Sequence, residues 1–164
     1  MRTRITIFVV LVASLATAAV ASEATVFDRI ADDFEAIRQA LLDDSTEGTA
    51  EHARSIAAAA ADLEADFNAA AAGVALDDAD AVSALLDEVE TRARSLADAD
   101  GLAEARQALA SLTQPLVRWH RLVQGPKPVV AYCPMEKKAW LQPDEAIGNP
   151  YDPTMLRCGE VVQR

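Results

Sequence analysis

Sulfur is scarce in this chain: two cysteines and three methionines among 164 residues, one of those methionines being the initiator. No Cys-x-x-Cys-His run occurs, which excludes covalent haem attachment, and no Cys-x-x-Cys pair is present to support thiol oxidoreductase chemistry. Histidine is just as rare, with only His52 and His120, so a histidine-rich metal centre is excluded. Aromatic residues make up 5% of the chain, and alanine takes their place, which suits helices packed closely through small side chains. Basic residues are outnumbered 15 to 26 by acidic ones, giving a net charge of −11. A surface of that sign repels nucleic acid and anionic lipid and favours small cations or basic partners. Phosphate loops, nucleotide fingerprints and Ser-His-Asp arrangements are all missing, so the sequence points away from an enzyme.

One long apolar run exists, at the start. Arg2 and Arg4 precede it, and Ala19-Val20-Ala21 supplies the small residues of a peptidase site. Residues 1–21 therefore read as a secretory signal peptide. Cleavage leaves a protein with no membrane anchor, periplasmic or secreted.

Within residues 22–124, apolar side chains recur at steps of three and four. Phe27, Ile30, Phe34, Ile37 and Leu41 form the first stripe, and Ala53, Ile56, Ala60, Leu63, Phe67, Ala70 and Val74 the second. Val82, Leu86, Val89, Ala93 and Leu96 form the third; Leu102, Ala105, Leu109, Leu112, Leu116, Trp119 and Val123 form the fourth. Four such stripes predict four helices around one core. Short connections make them an up-down-up-down bundle, and the fold class expected is all-α. Thr49, Asp78 and Asp100 are the expected N-caps, Gly48 and Gly101 the expected breakers. Pro115 should kink the fourth helix by freeing the carbonyl of Ser111. In such a bundle His52 and His120 fall at opposite ends, about 30 Å apart, and cannot share one metal.

Composition changes at Gly125-Pro126-Lys127-Pro128. Residues 125–164 hold six of the seven prolines and are electrically neutral, so the acidic excess belongs to the bundle. Val129–Tyr132 and Gly159–Val162 have the composition of short strands, but the prolines between them predict a loop module folded onto the helices.

That module contains all the sulfur of the mature chain, in two pairs of opposite order: Cys133-Pro134-Met135 and Met155-Leu156-Arg157-Cys158. Two readings follow. In one, Cys133 and Cys158 form a disulfide, as paired cysteines in exported chains usually do, stabilising the fold by about 3 kcal/mol, with the methionines as apolar filler. In the other, Cys133, Met135, Met155 and Cys158 gather around a soft metal ion. Thiolate and thioether together match Cu(I), with His120 as an additional candidate ligand.

The tail also resembles a known family. Tyr132-Cys133-Pro134-Met135, Trp140-Leu141-Gln142, Ile147-Gly148-Asn149-Pro150-Tyr151 and Met155-Leu156-Arg157-Cys158-Gly159-Glu160-Val161 are similar to the signature of bacterial exported domains of unknown function. Those domains occur alone or fused to periplasmic adaptor subunits of heavy-metal efflux pumps. Ala105–Leu112 resembles a helix of the same family. The resemblance implies a periplasmic role near copper or other heavy metals, with Cys133, Met135, Met155 and Cys158 as ligands and an efflux-pump component as partner. The function expected is handling or sensing of Cu(I), and the alternative is a disulfide-stapled interaction module of an efflux system with no metal site of its own.

Overall fold

The computed structural model describes residues 24–164; the signal peptide expected over residues 1–21 lies outside them. Four helices come first: α1 (Val26–Leu42), α2 (Thr49–Ala65), α3 (Ala79–Ala97) and α4 (Leu102–His120). A single 3-10 turn, Leu76–Asp78, leads into α3. Among the described residues no helix is long and apolar enough to cross a membrane.

The stripes form the core as their period requires. Phe27, Ile30, Phe34, Ile37 and Leu41 on α1 are fully buried, as are Val82, Leu86, Val89 and Ala93 on α3 and Leu109, Leu112, Leu116 and Trp119 on α4. The Trp119 indole N–H, which would be costly to bury unpaired, donates to the Ala72 carbonyl at 3.1 Å.

The helix ends differ from expectation in detail. Thr25 caps α1 through a capping box with Asp28, each bonding the other's backbone N–H. Thr49 is the first residue of α2, and Gly48, at φ +74°, occupies the cap position. Gly101 rather than Asp100 precedes α4. The second stripe outruns its helix: α2 stops at Ala65, and Asn68 accepts from the Ala71 N–H to begin a turn in which Gly73 takes φ +74°. Phe67, Ala70 and Val74 thus belong to a connection. Helix α4 continues through Pro115 to His120.

The all-α expectation is corrected by the tail. Residues 129–163 form a three-stranded antiparallel sheet of β1 (Val129–Cys133), β2 (Lys138–Gln142) and β3 (Glu160–Gln163), in the order β2-β1-β3. Strands β1 and β2 pair in regular register from Val129 opposite Gln142 to Cys133 opposite Lys138, joined by a turn in which Lys137 adopts φ +54°. Against β3 the register slips between Val130 and Ala131, leaving Val162 as an extra, bulged residue. The expected loop module is therefore a sheet with one long excursion, residues 143–159. The prolines obstruct no ladder: Pro134 lies in the turn, and Pro143, Pro150 and Pro153 in the excursion.

Packing is sequential around the bundle, with α1 against α2, α2 against α3, and α3 against α4. Helices α1 and α4 touch each other sparingly, and β2 lies against both. The sheet thereby covers the seam that a closed four-helix bundle would seal with helix on helix. Val130, Ala131, Cys133, Trp140 and Leu141 join the same apolar core as the helices.

Candidate functional site: a stapled and clamped tail

Cys133 ends the central strand β1 and is fully buried; Cys158 lies at the close of the excursion, just before β3. Their sulfurs are bonded to each other, with Cα atoms 5.5 Å apart, and no free cysteine exists. Both thiols that the sequence offered as metal ligands are consumed in this bond. Met135 sits in the β1–β2 turn with 72% of its surface exposed. Met155 is half-buried in a turn, where its N–H donates to the Asp152 carbonyl and its carbonyl accepts from the Cys158 N–H. The structure thus unites the two cysteines and turns Met135 toward solvent.

His120 lies at the end of α4, buried beside Phe27 with ring centroids 6.2 Å apart. Its Nε2 is 2.7 Å from the Pro128 carbonyl, and its Nδ1 has no hydrogen-bond partner. Burial holds this imidazole below its ordinary pKa; the Pro128 bond and the Gln163 side chain oppose that, and the charges of Lys127 and Arg121 reinforce it. Lys127 turns back to donate to the carbonyls of His120 and Val123, closing the helix C-terminus. His52 is far along the chain on α2, 2.8 Å from Asp33 Oδ1 through Nδ1. Among the described residues no group of three or more His, Cys, Asp or Glu side chains is placed to hold a metal ion.

Two arginines hold the excursion in place; the sequence assigned Arg38 no role and marked Arg106 only as part of the Ala105–Leu112 resemblance. Arg38 of α1 is almost fully buried; its Nη1 donates to the Gly148 carbonyl at 2.8 Å while the rest of its fork engages Glu35 at 2.6 and 2.7 Å. Arg106 of α4 donates to the Pro150 carbonyl at 3.0 Å and to Leu41 O at 2.9 Å, and pairs with Asp44. The two guanidiniums thus grip the carbonyls on either side of Asn149. Asn149, fully buried, receives the Tyr151 N–H at 3.0 Å and donates to Met155 O at 3.2 Å.

Tyr151 completes the lock. Its ring stands edge-on to Trp140 with centroids 6.0 Å apart, and its hydroxyl donates to Ala139 O at 2.6 Å, with Thr113 Oγ1 3.3 Å away. Burial raises the phenol's pKa above its ordinary range, Thr113 pulling the other way. The Trp140 N–H donates to Gln142 Oε1 at 2.7 Å. Two glycines of the signature are required by space: a Cβ at Gly148 would stand 2.6 Å from Arg38 Nη1, and one at Gly159 would stand 2.6 Å from the Trp140 ring. Asn149-Pro150-Tyr151 and its neighbours therefore have a structural account in full, as the lock of the excursion onto α1, α4 and β2.

No family model, no curated protein and no solved structure matches this chain.

Proposed function

We propose that the protein is an exported, non-enzymatic interaction module: a helical scaffold whose tail is stapled by a disulfide and which has no metal site of its own in that state. The bond between Cys133 and Cys158 carries this reading. A disulfide sulfur is a poor metal donor compared with a thiolate, because the lone pairs that would bind a soft ion come with no negative charge. The two thioethers, on exposed Met135 and half-buried Met155, offer a soft ion no thiolate charge. Support also comes from the arginine clamps, which give Arg38, Arg106 and Asn149 structural work that leaves the excursion little freedom to reorganise around an ion. A disulfide fits an oxidising compartment, and the resemblance of the tail to domains found beside efflux adaptors supplies a class of partner.

The test is a Cu(I) titration of the oxidised chain against a competing chelator, with Met135→Leu and Met155→Leu alongside. The chelator should retain all the copper, and the variants should behave like the parent. Stoichiometric uptake by the native oxidised chain, lost in the methionine variants, would replace this reading with that of a soft-metal carrier.

A further inference from the structure

A cleft of about 700 Å³ runs along α4 and is also lined by Glu136 and Lys137 of the β1–β2 turn and by Lys138 and Ala139 of β2. Its charge is opposite to that of the chain. Arg118, Arg121, Lys137 and Lys138 line it, against two carboxylates, Glu88 and Glu136. Both carboxylates are already engaged. Glu88 is paired with Arg118 and, at 3.2 Å, with Arg92, while Glu136 is paired with Lys138 at 3.1 Å. Although burial tends to raise its pKa, those two guanidiniums hold Glu88 below the ordinary carboxylate range. Arg121 is in no ion pair among the described residues and meets the neutral Gln163 amide, whose oxygen in its bonding orientation lies 2.9 Å from Nε. Lys137 is exposed at the tip of the turn. In a protein of net charge −11, this is a cleft whose cations outnumber its anions and whose anions are spent.

Its shape is that of a trough. Gln107, Ser111, Gln114 and Arg118 fall on one stripe of α4, which Arg121 continues at the C-cap, and the fourteen-residue rise from first to last is about 21 Å. An extended peptide of about six residues spans that length. The amides of Gln107 and Gln114 offer both donors and acceptors for a peptide main chain. Of the cations that line the cleft, the two outside any ion pair among the described residues are Arg121, after α4, and Lys137, on the β1–β2 turn.

We propose that this trough binds an extended acidic segment of a partner protein, its carboxylates against Arg121 and Lys137. The inference rests on reading the chain as an interaction module and names the surface and the partner's chemistry. The acidic excess of the remaining helices does not forbid it, because charges more than about 8 Å away are largely screened at physiological salt.

A fluorescein-labelled hexaglutamate peptide serves as the probe, followed by anisotropy and by NMR shift mapping on the oxidised full chain. Hexalysine, free glutamate as competitor, and the exposed α2 variant Arg54→Glu are the controls. Hexaglutamate should bind more tightly than hexalysine, weaken with added salt, and shift resonances of α4 and the β1–β2 turn. Lys137→Glu and, separately, Arg121→Glu should each weaken it about tenfold, equivalent to ~1.4 kcal/mol, with Arg54→Glu unchanged and all melting curves alike. Equal binding by parent and both trough variants, shifts confined to another face, or full competition by free glutamate at matched carboxylate concentration would overturn the proposal. The disulfide is intact in every arm, so these failures are separate from a failure of the stapled-module reading, which is decided by thiol content and copper uptake.

Discussion

Arg38 Nη1 lies 2.8 Å from the carbonyl oxygen of Gly148, and a Cβ added to that glycine would stand 2.6 Å from the same nitrogen. The guanidinium therefore occupies the space a side chain at 148 would need. Gly148→Ala should displace Arg38 from its carbonyl and destabilise the fold by about 1–3 kcal/mol, the usual range for overpacking a filled site. Urea unfolding of the parent and variant measures it. An unchanged midpoint would mean that the excursion shifts freely, against the account of it as clamped.

Arg106 makes the second grip, and its removal has a different cost. Arg106→Leu keeps much of the apolar stem but strands the carbonyls of Leu41 and Pro150 without their charged donor. Hydrogen bonds to charged groups contribute about 1.5–3 kcal/mol each in net terms, so a loss of about 2 kcal/mol is expected. Hydrogen exchange should localise it, with protection falling at residues 147–158 while the buried amides of α2 and α3 keep theirs. The Asp44 partner is more than half exposed, and Asp44→Asn should accordingly change little.

His120 should contribute to the acid limb of stability. Burial depresses its folded-state pKa below the ordinary value of 6.5, so the neutral form is the one the fold favours. The stabilisation is present above the unfolded-state pKa and is lost as pH falls through that value toward the folded one. Unfolding free energies should thus decline as the pH is lowered below about 6.5. His120→Gln should be less stable at neutral pH, through loss of the packing on Phe27, yet show a flatter pH dependence across that window. A slope equal to the parent's would show that other groups carry the acid sensitivity.

The helices were legible in the sequence because their stripes obey one period without interruption, and every residue of the α1 stripe is fully buried. The overrun of α2 came from trusting that period past Ala65, where Asn68 and Gly73 turn the chain instead. Strand β2 was not legible. Lys138-Ala139-Trp140-Leu141-Gln142 contains no β-branched residue, and it is a strand because β1 beside it and the α1–α4 seam beneath it supply partners. The sulfur pairs drew attention to the right residues, but proximity in sequence cannot distinguish four convergent donors from one covalent bond. Arg38 and Arg106 had no role assigned from the sequence. Their targets are backbone carbonyls more than forty residues away, which carry no side-chain signature. Two hints were available: Arg38 directly follows the core residue Ile37, and Arg106 lies within Ala105–Leu112, the segment that resembles a helix of the family.

The staple should contribute to stability independently of the clamps. Cys133→Ala with Cys158→Ala removes the bond and should lower the unfolding free energy by about 3 kcal/mol, leaving a folded chain because the arginine grips and the Tyr151 lock remain. Circular dichroism and urea unfolding check both halves of that statement. A double variant that fails to fold would mean the clamps cannot hold the sheet to the bundle by themselves.

The central claim is that Cys133 and Cys158 form a permanent bridge in the working protein, and intact-mass analysis after alkylation tests it most directly. The chain is isolated from an oxidising compartment, treated with a metal chelator, unfolded without reductant and exposed to an alkylating agent. The account predicts an unmodified mass, with two adducts appearing only after a reductant is added. Two adducts without reductant would show that the cysteines work as free thiols, and would contradict it.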